Sequence, residues 1–360
     1  MLRAALAAAG IYATSHRRPY VMVGEPQPVQ TGHPILCVHT RLTDEVEEWK
    51  IQRSLRMVRE LAADTIVEFI PWAYREPAEG VYSWAHTDMV VEHAEAQGLT
   101  VIARLGMVPQ WAQPDDLENG ASLNYLVSDH YDEFATFVEA FTARYRGRID
   151  HIIIWNEPNL AFEWGYQPVD PQQYIDVLAH AVPAARRGNP EVVVLAGALA
   201  PTLEPPGSPA GLNDVLYLTD LYEAGFADYY DVLAVHTYGF RFPPEEPPAP
   251  DVLNFRRVEL LREIMVRYGD ADKPVIITES GWNDHPRWTK AVRPGQRITY
   301  TINGLEYAEE NWPWVENLCI WAFRYPAPTY SWPDYFTLVT PEFTPKPIYD
   351  ELQRWARGTP

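Results

Sequence analysis

Cysteine is nearly absent. Two residues, Cys37 and Cys319, among 360 are too few for a disulfide framework or a four-cysteine metal centre, and buried free thiols are their expected state. Long apolar runs are missing too: nothing approaches the roughly 20 residues that span a bilayer. The opening stretch, Met1 to Tyr12, carries one Arg and a short apolar run. A secretory signal, a helical leader and a disordered leader all stay open there, as does the compartment. Positive charge is scarce, 29 Lys and Arg against 49 Asp and Glu, for a formal net charge of −20. Such a surface repels phosphate backbones and anionic membranes, so nucleic acid is not an expected partner. None of the ten histidines stands in a metal-binding spacing, so neither a metal nor a cofactor is expected.

Hydrophobic residues make up 47% and charged residues 22%, enough apolar material for a sizeable core. Runs rich in β-branched and aliphatic residues recur eight times, at 35–39, 65–70, 100–105, 151–155, 192–197, 232–236, 275–279 and 318–322. Each is followed by a polar or Pro/Gly-containing loop and then a segment of helical periodicity. The helical segments fall near 44–62, 86–97, 130–146, 171–187, 213–224, 252–269, 296–311 and 348–357, with Thr43 and Asp170 as candidate caps. Eight strand-helix units in succession predict an α/β fold, a closed (β/α)8 TIM barrel, rather than an open doubly wound sheet. We expect one catalytic domain over 31–360 behind a leader, 1–30, that is partly extended. The 33 prolines concentrate in loops, notably 201–209 and 242–250, where a fixed φ and a missing N–H rule out regular elements.

In such a barrel the active site forms at the carboxyl ends of the strands. Two carboxylates stand there: Glu157, just after the fourth run in His151-Ile-Ile-Ile-Trp-Asn-Glu-Pro-Asn159, and Glu279, ending the seventh in Lys273-Pro-Val-Ile-Ile-Thr-Glu279. Cleaving a glycosidic bond needs one group to protonate the leaving oxygen and another to trap or stabilise the cationic sugar carbon. A carboxyl pair supplies both, and a neutral carbohydrate is compatible with an acidic surface.

Trp155-Asn-Glu-Pro158 and Ile277-Thr-Glu-Ser-Gly-Trp282 resemble the acid/base and nucleophile motifs of the clan A retaining glycoside hydrolases, with family 39 and family 5 as the nearest analogues. The resemblance extends over Arg75-Glu-Pro-Ala-Glu-Gly-Val-Tyr-Ser-Trp84, Gly98-Leu-Thr-Val-Ile-Ala103, Ala234-Val-His-Thr-Tyr-Gly239 and Thr344-Pro-Lys-Pro-Ile-Tyr349. It implies hydrolysis of β-linked sugars by double displacement, with Glu157 as acid/base and Glu279 as nucleophile. It also implies that the Asn156 amide meets the sugar 2-hydroxyl, that Tyr238 and His236 donate to Glu279, and that Trp321 forms the floor of the pocket. One departure stands out. Clan members place an Arg near the end of the second strand to hold the nucleophile, and Ile66-Val-Glu-Phe69 offers Glu68. Either a cation such as Arg104 or Arg324 compensates, or Glu68 points elsewhere.

Of the 13 tryptophans, several fall at strand carboxyl ends, where indole faces stack on pyranose rings. Trp72, Trp111 and Trp282 join Trp321 as candidate sugar contacts, with loop packing as their alternative role. His39 ends the first strand and suits either a sugar hydroxyl or the core. Two rival functions stay open: a sugar-binding barrel without turnover, suggested by the missing second-strand Arg, and a transglycosylase.

Overall fold

A computed structural model of the chain describes residues 21–114 and 123–358. The Met1–Tyr12 leader stretch lies outside them. Eight parallel strands close into a barrel in sequence order: β1 (Leu36–His39), β2 (Thr65–Pro71), β3 (Thr100–Gly106), β4 (His151–Ile154), β5 (Val193–Leu199), β6 (Val232–Tyr238), β7 (Val275–Gly281) and β8 (Val315–Trp321). Helices follow the strands, and all eight expected ones are present, seven within four residues at each end and the one expected from 252 starting at Val258. An additional short helix, Trp72–Arg75, follows β2 directly. Asp170 caps its helix by accepting from the Gln172 N–H at 2.9 Å. Thr43 does not cap: residues 42–44 form a single 3-10 turn, and the long helix starts at Glu48. Residues 21–32 run beneath the barrel, tied by Gln27 N–H to the Ala96 carbonyl and Gly32 N–H to the Ala356 carbonyl.

Strand alternation sorts the wall into two faces. Cys37, Val67, Ile102, Ile153, Leu195, Val232, Ala234, Ile276 and Cys319 fill the barrel interior. The opposite parity, including Ile66, Ile70, Val101 and Leu105, packs against the helices in the larger apolar cluster. Continuing the inward set toward the carboxyl ends brings His39, Phe69, Arg104, His236, Tyr238 and Trp321 to the mouth.

Glu279 fits this row only because β7 carries an irregularity. Val235 pairs with Ile277, but the next β6 residue, His236, pairs with Glu279. The extra residue, Thr278, reverses the alternation and turns Glu279 into the barrel, as a β-bulge does. The β7–β8 ladder shifts over the same stretch.

The cysteines depart from expectation. Cys37 and Cys319 are direct partners in the β1–β8 ladder and are joined by a disulfide, leaving no free thiol. Both point into the barrel at the same level, so closure itself brings the sulfurs together.

Candidate functional site

Glu68 takes no part in the mouth. Its parity places it outward, where it is fully buried and accepts from the Thr40 hydroxyl at 2.6 Å and from the Leu42 and Thr43 N–H groups at 3.0 and 2.8 Å. It pins the turn after β1. The inward β2 residue at this level is Phe69, and its β3 partner is Arg104, whose guanidinium lies 4.8 Å above the Phe69 ring. Arg104 is the compensating cation: one guanidinium nitrogen, Nη1, donates to Glu279 Oε1 at 2.9 Å and to Asn156 Oδ1 at 2.8 Å. Arg324, the other candidate, pairs with Glu45 instead.

Glu157 is set by a sharp turn at the end of β4. Trp155 and Glu157 both have positive φ, 73° and 43°, a conformation that costs a non-glycine residue stability and needs outside support. The support is visible. Trp155 N–H donates to the Leu105 carbonyl and Glu157 N–H to the Ala198 carbonyl. The Asn159 side chain bridges to Ala200, donating to its carbonyl and accepting from its N–H, each at 2.9 Å. The Trp-Asn-Glu-Pro-Asn sequence is thus clamped between the ends of β3 and β5.

Glu157, His236 and Glu279 meet, with ligand-type atoms of all three within 4.8 Å of one another. His236 Nδ1 lies 2.7 Å from Glu157 Oε1 and 3.7 Å from Glu279 Oε2, and the Tyr238 hydroxyl donates to Glu279 Oε2 at 2.8 Å. Burial alone would raise the Glu279 pKa, but His236, His39, Arg104 and the Tyr238 hydrogen bond outweigh it and hold the carboxyl at about 2. His39 adds little charge at neutral pH, because burial and then Arg104 push it down to about 3. The permanent cation facing Glu279 is therefore Arg104. His236 goes the other way: burial would lower it, yet the charge of Glu279 and the bond to Glu157 raise it above its ordinary value.

The neutral His39 ring has a defined orientation. Nδ1 lies 2.9 Å from the Thr40 carbonyl, which requires that nitrogen to carry the proton. Nε2 is then an acceptor, buried, 3.6 Å from Glu279 Oε1 and without a hydrogen-bond partner.

Glu157, Glu279, Asn156, His236, Tyr238 and His39 are brought together. Trp321 stands at the rim, half-buried, edge-on to Tyr238 at 6.4 Å and to Phe336 at 5.2 Å. Two aromatic candidates do not reach the mouth. Trp72 is fully buried, edge-on to Trp111 and packed on Phe137, with its N–H donating to Glu76 at 2.6 Å. Trp282 lies flat over Gly239, where an added Cβ would sit 1.8 Å from the indole, and its N–H donates to the Phe242 carbonyl. Neither has an open face for a sugar ring. Trp111 donates to the Glu76 carbonyl at 2.9 Å and stays half-exposed beside Trp72.

Sequence reasoning missed Glu163. This carboxylate accepts from Asn124 at 3.0 Å, lines one cavity with Asn156, and is lifted to about 7 by burial and then by the charge of Glu157. The available signal was an acidic residue wedged between Phe162 and Trp164 in the loop after a site strand.

Among the described residues, Glu157, His236 and Glu279 are the one cluster with metal-ligand spacing. A cation fits poorly there, since Glu279 already faces Arg104 and Tyr238, and His236 Nδ1 faces Glu157.

No family profile and no curated protein matches the sequence. Solved structures do match. The chain is similar to a family 39 glycoside hydrolase from the gut symbiont Bacteroides cellulosilyticus WH2, with a TM-score of 0.73 and 19% identity over 94% of this chain and 65% of that one. It is similar to a monomeric β-xylosidase from Caulobacter crescentus CB15 (TM-score 0.64, 17% identity, 90% and 69% coverage). It is also similar to the GH5_18 enzyme from Streptomyces cattleya (TM-score 0.64, 18% identity, 92% and 82% coverage). The fold is thus the (β/α)8 barrel seen in glycoside hydrolases of families 39 and 5. The chain spans just under two thirds of the family 39 enzyme's length.

Proposed function

We propose that this chain is a retaining β-glycosidase in which Glu279 is the nucleophile and Glu157 the acid/base. The observation that carries the proposal is the pairing of two mouth carboxylates within 4.8 Å, one facing Arg104 and Tyr238 and the other facing His236. Retention by double displacement calls for carboxyl groups about 5–5.5 Å apart, whereas inversion needs room for a water between them. Glu279 is held ionised by Arg104 and Tyr238. Glu157 shares a short contact with His236, whose raised pKa keeps a proton in reach.

In the first step a Glu279 carboxylate oxygen attacks the anomeric carbon, and Glu157 gives its proton to the departing glycosidic oxygen. The Glu279–sugar ester that forms is then opened by water, whose proton returns to Glu157. Asn156 would meet the 2-hydroxyl, where the bond strengthens in the transition state. The orphan Nε2 of His39 supplies an acceptor for a second sugar hydroxyl, and Trp321 offers a ring face. The missing second-strand Arg was the reason to consider a binder without turnover, and Arg104 answers it.

The test is turnover on aryl β-xylosides, β-glucosides, β-mannosides and β-galactosides, with the configuration of the first-formed sugar read by NMR. Release of the β-anomer, lost in Glu279→Gln while sugar binding survives, is expected. An α-anomer, or undiminished hydrolysis by Glu279→Gln, overturns the assignment. Product analysis at high sugar-acceptor concentration separates hydrolysis from transglycosylation.

A further inference from the structure

We infer that Glu163 is a positioning residue that fixes the Asn156 amide for contact with the sugar's C2 hydroxyl. This rests on the glycosidase proposal above. The Asn156 side chain sits between Arg104, which donates to Oδ1 at 2.8 Å, and Glu163, which lines the same cavity and whose carboxyl it faces. A guanidinium only donates, so it faces the amide oxygen, and the Glu163 carboxyl, which keeps an acceptor oxygen whether ionised or protonated, faces the amide nitrogen. An amide between the two therefore fits one way round, with Oδ1 toward Arg104 and Nδ2 toward Glu163. One Nδ2 hydrogen is directed at Glu163. The second remains for the cavity of about 330 Å³ that Arg104, Asn156 and Glu163 line together. Without Glu163, Arg104 holds the amide from the Oδ1 side alone, and the Nδ2 side loses the acceptor that steadies it against rotation about Cβ–Cγ.

The loop is built to keep Glu163 there. The Trp155 indole N–H, from the residue preceding Asn156, donates to the Glu163 carbonyl at 2.9 Å. The next residue, Trp164, is anchored through its own indole to Gln173 at 3.1 Å, and Asn124 holds the Glu163 carboxylate from the other side. Because Arg104 Nη1 also contacts Glu279, a continuous chain runs from Glu163 through Asn156 and Arg104 to the nucleophile. A carboxylate this enclosed and this near Glu157 is costly to keep, so its placement calls for a role.

The test compares wild type, Glu163→Ala and Glu163→Gln on the preferred aryl β-glycoside and on its 2-deoxy counterpart. Glu163→Ala is expected to lower kcat/KM by roughly ten- to a hundred-fold on the parent substrate, the range for losing one oriented hydrogen bond. On the 2-deoxy substrate, which has nothing for Asn156 to grip, the loss should stay below about threefold. Glu163→Gln retains an acceptor oxygen and should stay near wild type on both. Equal losses on the two substrates, or no loss on the parent, overturn the inference. If Glu163→Ala does not fold, Glu163→Leu of closer volume replaces it under the same criteria. A wild-type protein that cleaves no β-glycoside refutes the glycosidase proposal itself, a result distinct from an unselective effect at Glu163.

Discussion

Arg104→Met removes the charge beside Glu279 while keeping most of the side-chain volume over Phe69. The guanidinium nitrogen is 2.9 Å from Glu279 Oε1, and both side chains are about nine-tenths buried. Two unit charges about 4 Å apart at an effective dielectric of about 20 interact by about 4 kcal/mol, equivalent to about three pK units. Glu279, held at about 2 in the intact protein, should then titrate near 5. His39 cannot replace the lost charge, because it is neutral above about pH 3. The assay is the pH dependence of kcat/KM on an aryl β-glycoside from about pH 4 to 8, whose limbs report groups of the free enzyme. Wild type should show no acid limb in that window, and Arg104→Met should show one near pH 5. Arg104→Lys, which keeps a charge but loses the planar fork, should be slower without gaining the limb. A slow Arg104→Met enzyme with a flat profile down to pH 4 would refute the reasoning and leave His236 and Tyr238 as the groups that keep Glu279 ionised.

Glu157→Ala should cost about 10²–10⁴ in rate for aglycones that leave as strongly basic anions and far less for nitrophenolates; a uniform loss across leaving groups contradicts the acid role. Thiol titration of the unfolded protein should find no thiol without reductant and two with it, since both cysteines are in the bridge. Cys37→Ser with Cys319→Ser should lower unfolding stability by about 2–5 kcal/mol, given the long loop closed; unchanged urea melts would speak against the bridge. Glu163 has a folded pKa of about 7, above the ordinary 4.5. Its burial therefore costs nothing below pH 4.5, while it is protonated in both states. The destabilisation grows as pH rises toward 7 and is complete above that. Glu163→Gln should match wild type at about pH 4 and exceed it at about pH 8 by no more than about 3 kcal/mol. An equal gain at both pH values would point to packing instead.

The barrel was legible because parallel strands buried on both faces read as apolar runs, and all eight fell where the runs are. Glu157 and Glu279 were legible as acids at strand ends. The facing of individual residues was harder to read. Glu68 and Phe69 are adjacent, and one pleat decides which of them looks into the mouth; only the pairing of Phe69 with Arg104 reveals that the cation has moved to β3. Simple alternation from Ile276 would turn Glu279 outward, and nothing in the composition of Val-Ile-Ile-Thr-Glu announces the extra residue. Trp72 and Trp282 look in sequence like any other strand-end tryptophan. Their burial depends on partners such as Gly239 and Phe137, which lie far from them along the chain.

The bond between Cys37 and Cys319 also changes how the barrel can come apart. A closed sheet of this topology ordinarily has its natural parting line between the first and last strands, the one junction made by the two ends of the chain. Here that junction is riveted, and a ring of 282 residues of sequence separation must stay tied even when every ladder bond is broken. Partial opening is therefore diverted to a different gap. The three-pair contacts between β1 and β2 and between β4 and β5 are the places where backbone amides should first exchange with solvent. The second of these gaps adjoins the turn that carries Glu157, so local breathing of the wall falls beside that carboxylate and away from the strand ends that hold Glu279.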